Sequence, residues 1–187
     1  GNQHMRLFLA LSLPEPLRDR LAALCTGMPG ARWVAPENLH LTLRFIGEVD
    51  GGQARDLDAA LAQVRAARPA VTLAGVDRFG SGRKLRALWV GVEPNLELDR
   101  LYRKLDHGVR DAGLAPEGRK FKPHVTLARF KGDPGHRLLD YLAHHATFRA
   151  EAFEARDFVL YSSFLSHGGA IYTAEAVYPL APLDTAL

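Results

Sequence analysis

The sequence predicts an α+β fold of two lobes, each an antiparallel sheet with flanking helices, related by an approximate two-fold axis. Three observations predict it. The tetrad His40-Leu41-Thr42-Leu43 recurs as His124-Val125-Thr126-Leu127. Residues 6–14 recur as residues 86–94, and each run is followed by leucines at helical spacing. Two further alternating runs, 158–163 and 170–178, close the chain around a Ser166-His167-Gly168-Gly169 turn. The repeat offset is 80 residues for the first strands and 84 for the histidines, so one longer loop reconciles the two halves.

Residues 1–4, ahead of Met5, read as a remnant of an expression vector and carry no functional weight. The apolar run 7–13 behind Arg6 resembles a secretion signal in composition only. Pro14-Glu15-Pro16 closes it early, no small-residue cleavage site follows, and its internal copy marks it as a strand. Residues 16–25 form a first helix carrying Leu17, Leu21 and Leu24, stopped by Gly27, Pro29 and Gly30. Residues 33–46 hold the first histidine strand, with 47–52 as its exit, and 53–68 follow as a helix with Leu57, Leu61 and Val64 on one side. A strand at 71–76 leads into the glycine-rich basic loop 78–84, which lacks the spacing of a nucleotide-binding loop. The second half repeats the order: strand 85–92, helix 96–112, a polar basic loop 113–122, the second histidine strand, and a short helix at 138–145. Phe45 aligns with Phe130 when Ala128 is taken as one extra residue. A single domain of two intertwined lobes is expected over residues 5–187.

A chain of 187 residues, 47% of them hydrophobic, is large enough to bury a full core. The formal charge of +3 suits a polyanionic substrate. Cys25 is the only cysteine, which excludes an intrachain disulfide, fits a reducing cytoplasmic setting, and leaves Cys25 a small core filler. No stretch approaches the length of a bilayer span.

In a strand, side chains two residues apart share a face, so each tetrad presents an imidazole beside a hydroxyl while its two apolar residues bury the other face. The His-x-Thr spacing puts no carboxylate in ligand register and one cysteine cannot build a zinc site, so neither a metal nor a cofactor is expected. No Gly-x-Ser-x-Gly elbow is present, and Ser81 between glycines lacks its flanks. Two imidazoles across a cleft suit a reaction that takes a proton from one oxygen and returns one to another, as in-line displacement at phosphorus requires. Thr42 and Thr126 would then donate to the non-bridging oxygens. The near-symmetric tetrads leave open which histidine gives the proton and which takes it.

The tetrads, the approach Trp33-Val34-Ala35-Pro36-Glu37-Asn38-Leu39, the continuation Arg44-Phe45-Ile46-Gly47-Glu48 and the run from His124 to Arg129 together resemble the RNA 2′,3′-cyclic phosphodiesterases of the 2H phosphoesterase superfamily, historically called 2′-5′ RNA ligases. The resemblance covers nearly the whole chain from Met5 to about Leu180. It implies a bilobal fold with a central cleft and metal-independent hydrolysis of an RNA-terminal 2′,3′-cyclic phosphate to a 2′-phosphate. By the same resemblance His40 matches the proton donor, His124 the proton acceptor, and Arg129 an arginine used on the phosphate. Strict alternation would turn Arg129 away from His124 and Thr126, and a bulge at Ala128 would re-aim it. Arg44, two residues past Thr42, falls on the Thr42 face. Phe45 and Trp33 are the candidates for stacking on the RNA end, with Phe8, Tyr161 and Tyr172 beside them. His107, His136, His144, His145 and His167 lack a repeated partner and read as solvated or structural. The expected partner is RNA with a 2′,3′-cyclic phosphate end, tRNA fragments among the possibilities, acted on by a monomer with no membrane association. Two other readings stay open: an RNA-end binding module without turnover, and a related enzyme acting on small cyclic nucleotides or 2′-5′ linked oligonucleotides.

Overall fold

A continuous apolar run from Leu7 to Leu11 forms the middle of β1 (Met5–Ser12), buried on both faces and therefore an inner strand. Residues 4–183 are described by the computed structural model; residues 1–3 of the predicted vector remnant and 184–187 of the predicted domain lie outside the described residues. Helix α1 (Glu15–Ala22) follows, with Leu17 and Leu21 inward. A two-residue strand β2 (Arg32–Trp33) and a 3₁₀ turn at Pro36–Asn38 lead into β3 (His40–Val49) and α2 (Gly51–Ala62). The second half contributes β4 (Ala70–Val71), β5 (Leu73–Phe79), β6 (Ala87–Val92), α3 (Leu96–Asp111), β7 (His124–Arg129) and α4 (Arg137–His145). Three strands end the chain: β8 (Phe153–Glu154), β9 (Asp157–Ser166) and β10 (Gly169–Pro179).

The strands assemble into two four-stranded antiparallel sheets, ordered β10-β9-β1-β3 and β2-β7-β6-β5, with β4 and β8 as a small pair. Each sheet places a repeat strand beside a histidine strand, β1 with β3 and β6 with β7. The halves also exchange elements. β2, from the first half, edges the second sheet, and β9 with β10, from the end of the chain, edge the first. One continuous core draws Leu9, Leu41 and Leu43 from the first sheet, Leu88, Val125 and Leu127 from the second, and Leu57, Leu101 and Leu105 from α2 and α3. Among the described residues no helix is long and apolar enough to cross a membrane.

Several boundaries differ from the sequence reading, each for a local reason. Helix α2 begins two residues earlier than expected because Asp50 accepts from the Gln53 N–H at 2.8 Å while Gln53 accepts from the Asp50 N–H at 3.0 Å, a reciprocal cap. It stops at Ala62 rather than 68: Pro69 disfavours helix ahead of it, and Arg68 N–H bonds to Ala181 at 2.9 Å instead. β3 runs through the predicted exit to Val49, with Gly47 at φ +93° beside a residue that lacks a partner on β1. β5 takes Arg78 and Phe79 from the predicted loop. The turn after it requires Gly80, since a Cβ there would lie 2.0 Å from the Lys84 carbonyl oxygen.

The histidine strands carry the correction that matters most. In β3, Thr42 faces Ala10 and Arg44 faces Leu9, so Leu43 has no partner of its own; in β7, Thr126 faces Trp89 and Ala128 faces Leu88, so Leu127 has none. The bulge thus falls at the same place in both repeats, at Leu127 rather than Ala128, and no extra residue separates them. Phe45 corresponds to Arg129, not to Phe130. The partners Ala10 and Trp89 also put β1 and β6 one residue out of step with the alignment of 6–14 to 86–94.

Past the bulge, Arg44 turns to the buried side, which corrects its placement on the Thr42 face. It is only 4% exposed and pairs with Asp106 of α3 at 2.9 Å, while its guanidinium also donates to the Ala115 and Phe45 carbonyls. Arg44→Met should leave Asp106 with only Arg110 at 3.3 Å and two carbonyls without their donor, lowering stability by about 3 kcal/mol, the range for losing one member of a buried ion pair. Urea unfolding reads this directly. An unchanged midpoint would show that the pair contributes nothing.

Candidate active site

Each histidine is fixed by its own approach segment. His40 Nδ1 donates to the Asn38 carbonyl at 2.5 Å, and His124 Nδ1 donates to the Lys122 carbonyl at 2.6 Å. A carbonyl only accepts, so Nδ1 keeps its proton in both rings and Nε2 is the position where a proton comes and goes. His40 Nε2 lies 2.9 Å from Thr42 Oγ1, as expected for side chains two apart on one strand face. The Asn38 turn is itself held, since Asn38 Nδ2 donates to the Ala170 carbonyl of β10 at 2.9 Å. β3 and β7 lie beside one another although they belong to different sheets, which brings the two histidine strands together.

The surroundings of the two rings are not alike. His40 sits among Phe8 at 5.0 Å, Tyr172 edge-on at 5.2 Å and Tyr161 at 6.2 Å, and Phe45, 60% exposed, stands 6.2 Å from Phe8. His124 has Phe79 edge-on at 5.0 Å and Trp89 at 5.8 Å. Lys122 Nζ stands 4.8 Å from the Trp89 ring and 5.3 Å from the Phe79 ring. One histidine therefore has an aromatic wall, and the other an aromatic wall with a cation on it.

Burial lowers the pKa of both imidazoles below the usual histidine value, opposed in each by the hydrogen bond from Nδ1 to the backbone. The Arg129 guanidinium lowers both as well, so its charge acts on both rings, while the Lys122 ammonium lowers His124. The bulge at Leu127 is what puts exposed Arg129 on the His124 and Thr126 face. With both histidines depressed, the form of the free protein carrying one proton between them dominates only on the acid side of about pH 6.5.

The candidates separate accordingly. His40, Thr42, Phe45, Phe8, Tyr161 and Tyr172 gather on one sheet, and His124, Thr126 and Arg129 share the facing strand. Trp33 does not join them: opposite Ala128 on β2, it packs on Tyr141 of α4 at 6.2 Å. Phe79, Trp89 and Lys122 were not expected at the site. Lys122 had one visible signal, since it stands two residues before its histidine, as Asn38 does before His40. Among the described residues no three His, Cys, Asp or Glu side chains come together as metal donors.

Comparison with known proteins places this geometry among relatives. The family model described as LigT like Phosphoesterase matches twice, over residues 11–89 and 90–172, once for each repeat. An RNA 2′,3′-cyclic phosphodiesterase of Methanocaldococcus jannaschii is 30% identical over 174 residues, covering 90% of this chain and 96% of that protein. One of Aeropyrum pernix is 36% identical over 158 residues, covering 83% and 88%. Among solved structures, E. coli LigT complexed with 3′-AMP superposes with a TM-score of 0.77 at 27% identity over 96% of this chain and 99% of that one. TT0787 of Thermus thermophilus gives the same TM-score of 0.77 at 27% identity, covering 96% and 100%.

Proposed function

The chain belongs to the LigT-like phosphoesterase family, and from that premise we propose that it is a cytoplasmic, monomeric hydrolase that opens the 2′,3′-cyclic phosphate at an RNA end to a 2′-phosphate without a metal ion. The observation that carries the reading is the pair of imidazoles on two neighbouring strands, each with Nδ1 tied to backbone, so that Nε2 is left to give or take a proton.

His124 Nε2 takes a proton from water as the water oxygen bonds to phosphorus. The bond from phosphorus to O3′ breaks in line with it, and His40 Nε2–H gives its proton to the departing O3′. One proton is removed and one returned, so the pair ends with its protons exchanged and resets through solvent. The Thr42 and Thr126 hydroxyls donate to the non-bridging oxygens and Arg129 offsets their charge, contributions that grow as negative charge gathers in the transition state. The terminal nucleoside belongs on the His40 side. There the leaving O3′ meets the acid, and exposed Phe45 with half-buried Tyr161 and Tyr172, packed around buried Phe8, offer ring faces to a base. A metal is not required in this scheme, because the imidazoles handle both protons and the side-chain donors handle the anion.

The test is an oligonucleotide ending in a 2′,3′-cyclic phosphate, incubated with the protein in excess chelator. A 2′-phosphate product is expected. A 3′-phosphate product would overturn the leaving-group assignment, and activity lost to chelator and restored by magnesium or zinc would overturn the metal-free scheme. Binding without turnover would leave an RNA-end binding module.

A further inference from the structure

Of the positions where the two repeats differ, one lies directly behind each histidine. Asn38 and Lys122 both stand two residues before a histidine, and each offers its carbonyl to that histidine's Nδ1. Their side chains then differ in charge and in anchorage. Asn38 is neutral and tied to Ala170 on β10. Lys122 is a cation resting on two rings, Phe79 of β5 and Trp89 of β6, and both rings also touch His124. An ammonium over aromatic faces is held by their quadrupoles, so a flexible side chain gains a preferred seat even where it is exposed to water.

We propose that Lys122, seated on Phe79 and Trp89, is a positioning residue for His124, its ammonium disfavouring a proton on His124 Nε2 so that this nitrogen is available as the base. The proposal rests on the hydrolytic reading above, but concerns the proton on His124 alone. The charged groups acting on His124 are both cations, Lys122 ahead of it and Arg129 further along β7. From β5 and β6 the groups facing it are the uncharged rings of Phe79 and Trp89, with the Arg86 guanidinium a further 5.9 Å out over Phe79. Burial, the largest influence, and Arg129 lower both histidines, whereas Lys122 adds to His124 alone. Removing a cation favours the protonated imidazole, so loss of Lys122 moves His124 toward a higher pH and leaves His40 behind.

The test is an NMR titration of both histidine rings in the wild type, Lys122→Met and Lys122→Arg, at low ionic strength because an exposed charge is screened by salt. Met keeps most of the apolar stem and loses the charge. The expected result is a rise in the His124 midpoint of about half a pH unit in Lys122→Met, little movement in His40, and near wild-type midpoints in Lys122→Arg. The acid limb of kcat/KM should rise with it, about a 3-fold loss below the midpoint. An unmoved His124, or equal movement of both histidines, would overturn the proposal. The ring titration needs no turnover, so it stands or falls independently of the substrate assignment.

Discussion

His40→Ala and His124→Ala should each lower kcat/KM on a 2′,3′-cyclic phosphate end by on the order of 10²–10⁴-fold, the usual cost of losing a general acid or base. Neither ring supports the core: each is half-buried and tied at Nδ1 to a backbone carbonyl, His40 also to Thr42 at Nε2. The losses should therefore appear in the chemical step with little change in unfolding midpoint. Because the two groups serve one transition state, the double variant should cost far less than the product of the single losses. Steady-state kinetics on the four proteins checks this. Single variants with near-normal rates would end the catalytic reading.

Arg129→Ala should be the next most damaging change, weakening substrate binding and turnover together by about 2 kcal/mol, or ~30-fold, as for a lost charge-assisted contact to a phosphoryl group. The pH dependence separates this role from a merely structural one. Arg129 lowers the pKa of both histidines, so its removal raises both, and the form with one shared proton then dominates at higher pH. The kcat/KM optimum, expected on the acid side of about 6.5 in the wild type, should move upward in Arg129→Ala. An unshifted profile with unchanged KM would make Arg129 a surface residue.

The halves of this molecule that alternate strictly were legible in the sequence. His40 with Thr42 and His124 with Thr126 share faces because a strand has a period of two, and each pair lies ahead of its bulge. Everything past Leu43 and Leu127 was harder, because an unpaired residue reverses the inside and outside of all that follow. Arg44 passed from a candidate at the site to a buried partner of Asp106, while Phe45 and Arg129 turned onto the histidine face. The same sensitivity hid Trp89. A register one residue from the sequence alignment sets it opposite Thr126, beside His124. The crossing of β9 and β10 to the first sheet had no local signal, since nothing in an alternating run names the strand it will pair with.

The central claim is that His40 protonates the leaving oxygen while His124 deprotonates water. It is tested most directly by the rates of His40→Ala and His124→Ala on a phosphodiester whose leaving group is stable as an anion. Such a group departs with little protonation, so the His40 variant should recover much of its lost rate while the His124 variant, still without a base, should not. Rescue of His124→Ala with no rescue of His40→Ala would contradict the assignment and reverse the two roles.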